Sequence, residues 1–477
     1  MSTPATSDAV PQLAGEQWLA LGLTLHRAGR HADAVNALQR AAAQLPLNLD
    51  VYRALVEALD ASGQIADAAS ARIGIDAIER RRAVDLYEIG RTYTKHGQWD
   101  AAAHWLERAL MIDPKLFTAH SCMAWVLRQM GRRDEGSRHV YRLYRRQPAF
   151  IEARSGASRR RVLILCASGF ANLPFRHLLP PSLNRIIRWV MDMGVYGMVR
   201  GNTRKLPSYD VVFNVVADAD LGAKCRAELA SFMETAQTPV LNHPDRIERT
   251  TRERIGALLE GVEGVHVPAT FRWDRKKGPA EAVHAEIAAV GLRYPVMVRP
   301  VGGHGGTGVV LLLSEEDQPE LSSMGEMYLT GYHHYRSADG YFRKYRVIFI
   351  DREPYPYHLA IGKPWMLHYF SADMLSETWK LEEERRFLDD PESALGAPAW
   401  ATLRAIAERM DLDYCGIDFS LLPDGRVLLF ETNATMLVHP EVEDDGLRFK
   451  NVYIQKILDA FDQLLTRRSA GNAPRQA

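Results

Sequence analysis

Apolar and polar positions along the chain fall into two regimes. From residue 15 to 150, apolar residues recur at three- and four-residue steps, the period of helices with one buried face. A longer period overlies this one. Gly29, Gly63, Gly97 and Gly131 stand 34 residues apart. Ala34, Ala68 and Ala102 keep the same step, with Gly136 at the fourth place. Pro46, Pro114 and Pro148 close three of the units, and Arg80 stands where the second departs. In the first unit Trp18, Leu21, Gly22, Leu25, Leu38 and Ala41 occupy the places held in the third by Leu86, Ile89, Gly90, Tyr93, Leu106 and Ala109. The pattern predicts helix pairs brought close by small residues, Val56 departing from this, with glycine in each turn and proline ending each second helix. A single pair is too thin to bury its own apolar face, so stacking supplies the core.

Past a linker over 151–161, which includes SGASRRR, the pattern becomes one of short apolar runs. Residues 162–166 (VLILC), 210–214 (DVVFN) and 239–242 (PVLN) predict buried parallel strands. Residues 182–193 predict a helix between the first two, which makes 162–245 an α/β domain. From 246 onward the expectation is a helix over 247–259, an extended stretch over 267–271, and strands over 294–300 and 309–313. Between those strands lies GGHGGTG, residues 302–308. It lacks the GxxxxGK[ST]-to-helix context of a Walker loop, and reads as a hairpin with a pliable tip. Residues 342–350 predict a strand. Residues 414–420 and 427–433 predict two strands joined at Asp424-Gly425 as a hairpin. An amphipathic helix is expected over 449–465, a flexible N-terminus over 1–14 and a disordered tail over 466–477.

Composition narrows the class. Lys+Arg and Asp+Glu are equal at 59 each, so no basic excess favours nucleic acid. With 47% hydrophobic residues the chain has material for a core, and it has no apolar run long enough to span a membrane. The four cysteines are scattered, with no CxxC pair, as in reduced thiols of a cytoplasmic protein.

The chemistry-bearing residues gather late in the chain. Asp418 lies in the first strand of the 414–433 hairpin, and Glu431 and Asn433 end the second on one face. Two carboxylates and an amide oxygen are hard donors that suit Mg²⁺ rather than zinc. Lys344 and Arg346 share a face of the 342–350 strand, and Arg299 ends the strand before the Gly-rich loop. Cations, a glycine cover and a Mg²⁺ set are what triphosphate binding and transfer require.

The 34-residue units resemble the tetratricopeptide repeat, a helix–turn–helix module. Residues 162–465, in the order described, resemble the ATP-grasp superfamily of carboxylate–amine ligases. Together they imply a multidomain fold: an all-α tetratricopeptide solenoid over 15–150, an α/β pre-domain over 162–245 and an α+β ATP-grasp core over 246–465. The resemblance implies ATP and Mg²⁺ as cofactors, with an acylphosphate route to an amide or related C–N bond. It assigns Arg299, Gly302, Gly303, His304, Gly305, Gly306, Lys344 and Arg346 to the phosphates, with Lys344 and Arg346 catalytic. It makes Met327, Tyr328, Leu329 and Thr330, within 327–332, an adenine-side hinge, and Asp418, Glu431 and Asn433 the metal ligands. The family usually has lysine where Arg299 stands. Its earlier ATP-binding lysine has no clear match, and the region of Arg249 and Arg252 is the place to look. Arg246, His358, Lys363 and His368 are candidates for the acceptor pocket.

A repeat array fused to a ligase points to a peptide or protein substrate held by the repeats, as in natural-product biosynthesis. The alternatives are a small-molecule ligase whose repeats form a homodimer, and a non-catalytic ATP-binding scaffold. Neither nucleic acid nor membrane is expected as a partner. Arg132, Arg133, Arg138, Arg142, Arg145 and Arg146 read as a solvated helical face, with an acidic peptide partner as the sharper alternative.

Overall fold

The computed structural model describes residues 13–146, 149–152, 158–167, 171–191, 206–274, 282–303, 305–306, 308–318, 321, 325–441 and 446–470. The chain divides into two compact units, Met1–Gln147 and Pro148–Ala477.

The first unit is eight helices: α1 (Gly15–Arg27), α2 (His31–Gln44), α3 (Leu49–Ala61), α4 (Ile65–Glu79), α5 (Ala83–Lys95), α6 (Trp99–Ile112), α7 (Phe117–Gln129) and α8 (Arg133–Arg146). Each packs chiefly on its sequence neighbour. Gly29, Gly63, Gly97 and Gly131 sit in the turns within successive pairs at φ +74°, +79°, +70° and +76°, a region that costs other residues strain. Gly22 lets α1 meet α2: a Cβ there would lie 2.5 Å from Leu38 Cγ. Leu38, Tyr52, Leu86 and Leu106 are buried along the stack.

The second unit begins earlier than the linker predicted. Strand β1 (Ala149–Ile151) pairs with a later strand, and β2 (Arg160–Ala167) already starts at Arg160. Residues 153–157 of the expected linker lie outside the described residues. With β3 (Asn184–Met191), β4 (Val211–Asn214) and β5 (Val240–Leu241) these form a sheet in the order β1-β3-β2-β4-β5, parallel except for β1. The helix expected over 182–193 is strand β3. Ile186, Ile187, Trp189, Val190 and Met191 are buried on both faces, and such branched and aromatic residues suit a covered strand. Helix α9 (Arg226–Met233) follows β4. The helix expected over 247–259 is broken into α10 (Pro244–Glu248) and α11 (Ile255–Leu258).

Two further sheets follow. Strands β7 (Thr270–Asp274), β8 (Val296–Pro300), β9 (Val310–Leu312) and β10 (Glu326–Gly331) form an antiparallel sheet ordered β7-β10-β8-β9. Helix α12 (Ala282–Ala289) supplies Val283 and Ile287 to its core, with Val296, Val298, Met327 and Leu329. Strands β11 (Phe342–Ile350), β12 (Glu353–Gly362), β13 (Tyr414–Leu421) and β14 (Val427–Asn433), with β6 (Val265–His266) parallel to β14, form the last sheet, ordered β12-β11-β13-β14-β6. Helices α13 (Thr378–Asp389), α14 (Pro391–Leu395) and α15 (Ala397–Met410) lie between β12 and β13 in the chain.

Helix α16 (Asn451–Ala470) ties the first sheet to the last. Phe461 packs on Phe213 of β4 and on Tyr414 of β13, ring centres 5.1 and 5.7 Å apart. The buried Arg160 donates to Asn184 Oδ1 at 2.7 Å, to Thr466 Oγ1 at 2.7 Å and to Asp462. Asn242, after β5, reinforces the join by exchanging amide bonds with the Tyr414 backbone at 2.8 and 2.9 Å. The helix continues to Ala470, so 466–470 is ordered, contrary to the tail expected there; 471–477 lies outside the described residues.

Candidate functional site

The antiparallel ladder of the last sheet places the charged residues. Arg346 of β11 is the register partner of Asp418 of β13, and Asp418 is in turn the partner of Glu431 of β14. Arg346 grips Asp418 with two bonds, Nε to Oδ1 at 2.6 Å and Nη2 to Oδ2 at 2.9 Å. Lys344 Nζ stands 3.3 Å from Oδ2. Burial would raise the Asp418 pKa; the charges of Arg346 and Lys344 and the guanidinium bonds override it and hold the carboxyl well below its ordinary range.

A bulge follows Asp418, leaving Phe430 unmatched in the ladder. Arg252 uses that irregularity. Its Nη1 donates to the Phe430 carbonyl at 2.9 Å while its Nη2 lies 2.9 Å from Glu431 Oε2. Glu431 is also held low: burial opposes ionisation, and Arg252, against the repulsion of Asp418, outweighs it. Asn433 donates its amide Nδ2 to Glu431 Oε1 at 3.0 Å, and its Oδ1 accepts from Thr435 N and Oγ1 at 2.7 and 2.6 Å. The Asn433 oxygen is therefore committed to Thr435, and the oxygens directed at the cleft are those of Asp418 and Glu431. Among the described residues no group of three His, Cys, Asp or Glu is close enough to hold a metal alone.

These residues face a cleft within the second unit with some 1270 Å³ of empty space, part of it open to solvent. Arg252, Arg299, Lys344 and Arg346 line it against only two carboxylates, Asp418 and Glu431. Its excess is positive and suits an anion. Val267, Met297, Tyr332, Tyr335, Trp365 and Leu429 add apolar and aromatic surface to its wall. Arg299 of β8 donates Nη2 to the Gly303 carbonyl at 2.6 Å, steadying the Gly-rich turn. Burial, then the nearby Arg252, pulls its pKa down to about 10.

The sequence-predicted residues divide as follows. Gly305 and Gly306 line the cleft. A Cβ at Gly306 would lie 2.5 Å from His368 Nε2, an atom that is itself buried without a partner. Gly302 and Gly303 instead border a second, adjoining compartment. His304 lies outside the described residues. Of the expected hinge, Met327 and Leu329 are fully buried in the β8–β10 core and Tyr328 faces the second compartment. Only Thr330, with Gly331 and Tyr332 after it, reaches the cleft. Of the acceptor candidates only His368 lines the cleft. Arg246 is paired with Asp411 at 2.8 Å, His358 is buried and stacked on Tyr369, and Lys363 lies over the Tyr341 ring. Of the two arginines near 250, Arg252 enters and Arg249 does not.

The second compartment, about 450 Å³ of empty space with part of it open to solvent, shares Arg252, Glu431 and Thr432 with the cleft. Asp218, Asp220, Thr251 and Tyr328 form other parts of its wall. Tyr328 Oη donates to Asp220 Oδ1 at 2.6 Å, and Arg272 binds both Asp220 and Glu253. Sequence reasoning missed this network; its members come from four separate segments and carry no common spacing.

The helical unit has its own groove, about 1200 Å³ of empty space, whose wall includes Tyr93, Trp99, Trp105, Asp67 and Asp100. Among the described residues no lysine or arginine lines it.

No helix among the described residues is long and apolar enough to cross a membrane. No protein-family model matches the sequence, and no curated protein matches it. Among solved structures, D-alanine–D-alanine ligase from Bacillus anthracis complexed with ATP is similar at 11% identity, covering 66% of this chain and 99% of that one with a TM-score of 0.37. The ATP-grasp ligase PsnB complexed with minimal precursor, Mg and ADP is similar at 16% identity, covering 64% and 98%, TM-score 0.35. MamA protein is similar at 23% identity over 27% of this chain and 71% of that one, TM-score 0.16. These likenesses are slight.

Proposed function

We propose that the chain is an ATP-dependent ligase of the ATP-grasp kind, joining a carboxylate to an amine with release of ADP and phosphate and acting on a peptide held by the helical unit. The observation that carries this reading is the cleft, whose wall combines four cations, two adjacent carboxylates, Gly305 and Gly306, and a set of apolar and aromatic side chains. A nucleoside triphosphate has that distribution of charge and apolar surface. Arg299, Lys344, Arg346 and Arg252 would hold phosphate oxygens, Arg299 as a bidentate fork. Asp418 and Glu431 would hold Mg²⁺, whose remaining oxygens come from phosphate and water, in the manner usual for this ion. When bound, ATP and Mg²⁺ supply the phosphoryl group that activates the carboxylate as an acylphosphate and the charge that steadies its transfer.

The chain's own part is positional. Arg346 and Lys344 are held at the cleft floor by Asp418, so their charges meet developing negative charge with little reorganisation. The Arg299–Gly303 bond steadies the glycine turn. His368, neutral because burial and then Lys344 lower its pKa, presents a buried ring nitrogen to the same space. The aromatic, acidic groove of the helical unit supports a peptide with apolar and basic side chains, which would raise the local concentration of its reactive end.

The test is calorimetry of ATP with and without Mg²⁺, followed by ADP release over a panel of peptides and free amino acids. Mg²⁺-dependent binding and peptide-stimulated ADP release are expected. Trp99→Ala should lower stimulation by a peptide and spare that by a free amino acid. Binding without any ADP release over the panel would favour a nucleotide-binding scaffold, and absence of binding would refute the ligase.

A further inference from the structure

The two adjoining compartments carry opposite charge. The cleft has four cations to two carboxylates; the second compartment has Asp218, Asp220 and Glu431 to the single cation Arg252. Their common wall is the Arg252–Glu431 ion pair at 2.9 Å, with Thr432 beside it. Space for a small molecule thus lies one ion pair away from the place where phosphates would be held.

The acidic wall is built rather than incidental. Asp218 is 7% exposed, and its Oδ1 accepts backbone N–H groups of Asp220 and Leu221 at 3.0 and 2.7 Å, which orient the carboxylate. Asp220 is steered by Tyr328 and Arg272, both bonds falling on Oδ1. A different kind of observation points to a ligand. Thr251 is 6% exposed and lines the compartment, and its Oγ1 is buried with no hydrogen-bond partner. A hydroxyl left without a partner in such a place forfeits its hydration without return, and a bound polar group would satisfy it.

We propose that this compartment seats the amine-bearing reactant, a small primary ammonium of amino-acid size, with Asp218 and Asp220 as counter-charges and the Thr251 hydroxyl as an orienting hydrogen-bond partner. The assignment rests on the ligase reading for its role but not for its chemistry. A free carboxylate would be repelled here and drawn to the cationic cleft, so the two reactants are sorted by charge on either side of Arg252–Glu431. None of the residues named for this seat was among those expected for an acceptor pocket.

The experiment uses the full chain and two small probes of opposite charge, L-alaninamide and propionate. Binding is followed by saturation-transfer NMR and calorimetry, with and without Mg²⁺ and a non-hydrolysable ATP analogue; affinity for the analogue is measured on the same preparations. Alaninamide should bind in preference to propionate. Thr251→Val, nearly isosteric, should weaken alaninamide about fivefold, the net worth of one hydrogen bond, and leave analogue affinity within about twofold, since Thr251 does not line the cleft. Asp218→Asn should weaken alaninamide by more than about tenfold, as loss of a charge-assisted partner does. Preference for propionate, no alaninamide binding in either state, or binding that neither substitution alters would overturn the assignment. If wild type fails to bind the analogue but binds alaninamide in a manner sensitive to Thr251→Val, the ammonium site stands and the ligase reading falls.

Discussion

Replacing Asp418 by asparagine removes one charge on which two cations depend. Arg346 spends two guanidinium bonds on that carboxylate, at 2.6 and 2.9 Å, and Lys344 stands at 3.3 Å. Stripping one partner from a buried pair costs about 3–5 kcal/mol, because the other charge stays buried. Arg346 keeps 24% side-chain exposure, and an asparagine oxygen still accepts one bond. The loss should therefore fall at the lower end, about 3 kcal/mol at pH 7, or a fall in Tm of roughly 4–5 °C for a unit of about 330 residues. The pH dependence has a definite sign. The folded carboxyl is held below its unfolded value, so its contribution is complete above the unfolded pKa and is lost as pH falls through the folded one. The gap between wild type and variant should be constant above pH of about 5 and narrow below about 4. Scanning calorimetry across pH measures this, and ATP titration of the same samples reads the second effect, loss of Mg²⁺-dependent binding and of ADP release. A variant as stable as wild type at pH 7 would refute the coupling of Asp418 to Arg346 and Lys344. One that folds normally and still releases ADP would refute the metal assignment.

Other expectations concern separate parts of the molecule. Arg299→Ala takes a cation proposed for the phosphates and the donor to Gly303, and should weaken nucleotide binding about tenfold to a hundredfold by calorimetry. Arg299→Lys should recover only part of this because the fork is lost, and equal affinity in all three proteins would remove Arg299 from the site. Glu384 is fully buried, and burial, against Lys450 and its bonds from Tyr369 and Leu359, pushes its pKa up to about 7. Its contribution is complete below about pH 4.5 and is lost as pH rises through about 7, on the order of 3 kcal/mol in all. Glu384→Gln should flatten that decline and exceed wild type in Tm at pH 8; an unchanged profile would count against the burial argument. Gly74→Ala puts a Cβ 2.3 Å from the Trp105 ring, and should lower the unfolding temperature of the helical unit by about 1–3 kcal/mol worth of stability while ATP affinity is unchanged.

What could be read from the sequence was what local pattern determines. Residues 414–433 carry two apolar runs around an Asp-Gly turn, and the hairpin places Asp418 opposite Glu431 as that pattern requires. Lys344 and Arg346, two apart on a strand, both reach Asp418. The misreading at 182–193 has a local cause as well: arginines at 185 and 188 mimic a helical polar face, whereas burial of both faces of β3 is decided by the sheet around it. Pro244 starts a helix, but the chain turns again at Thr250 and Thr251 before Ile255, and that turn is what brings Arg252 to Glu431. Arg252, Asp220 and Tyr328 meet only through tertiary structure, as does the commitment of the Asn433 oxygen to Thr435 by a bond two residues on. No spacing rule in one chain reports such meetings.

Helix α16 gives the protein an order of manufacture. The helical unit is assembled from helices that are neighbours in the chain, so each pair can close as soon as it is synthesised. The second unit cannot. Arg160, made soon after that unit begins, is satisfied by Asp462 and Thr466, some 300 residues later, and the Phe213 and Tyr414 rings wait for Phe461. Until those 20 residues of α16 emerge, the first sheet has a bare apolar face and a buried arginine without its acid. The nascent chain therefore presents a finished stretch of eight helices followed by a long, unfinished α/β segment. That segment is the part a chaperone would have to hold, and a ribosome stalled before residue 451 would release a product in which the helices are folded and the cleft is not.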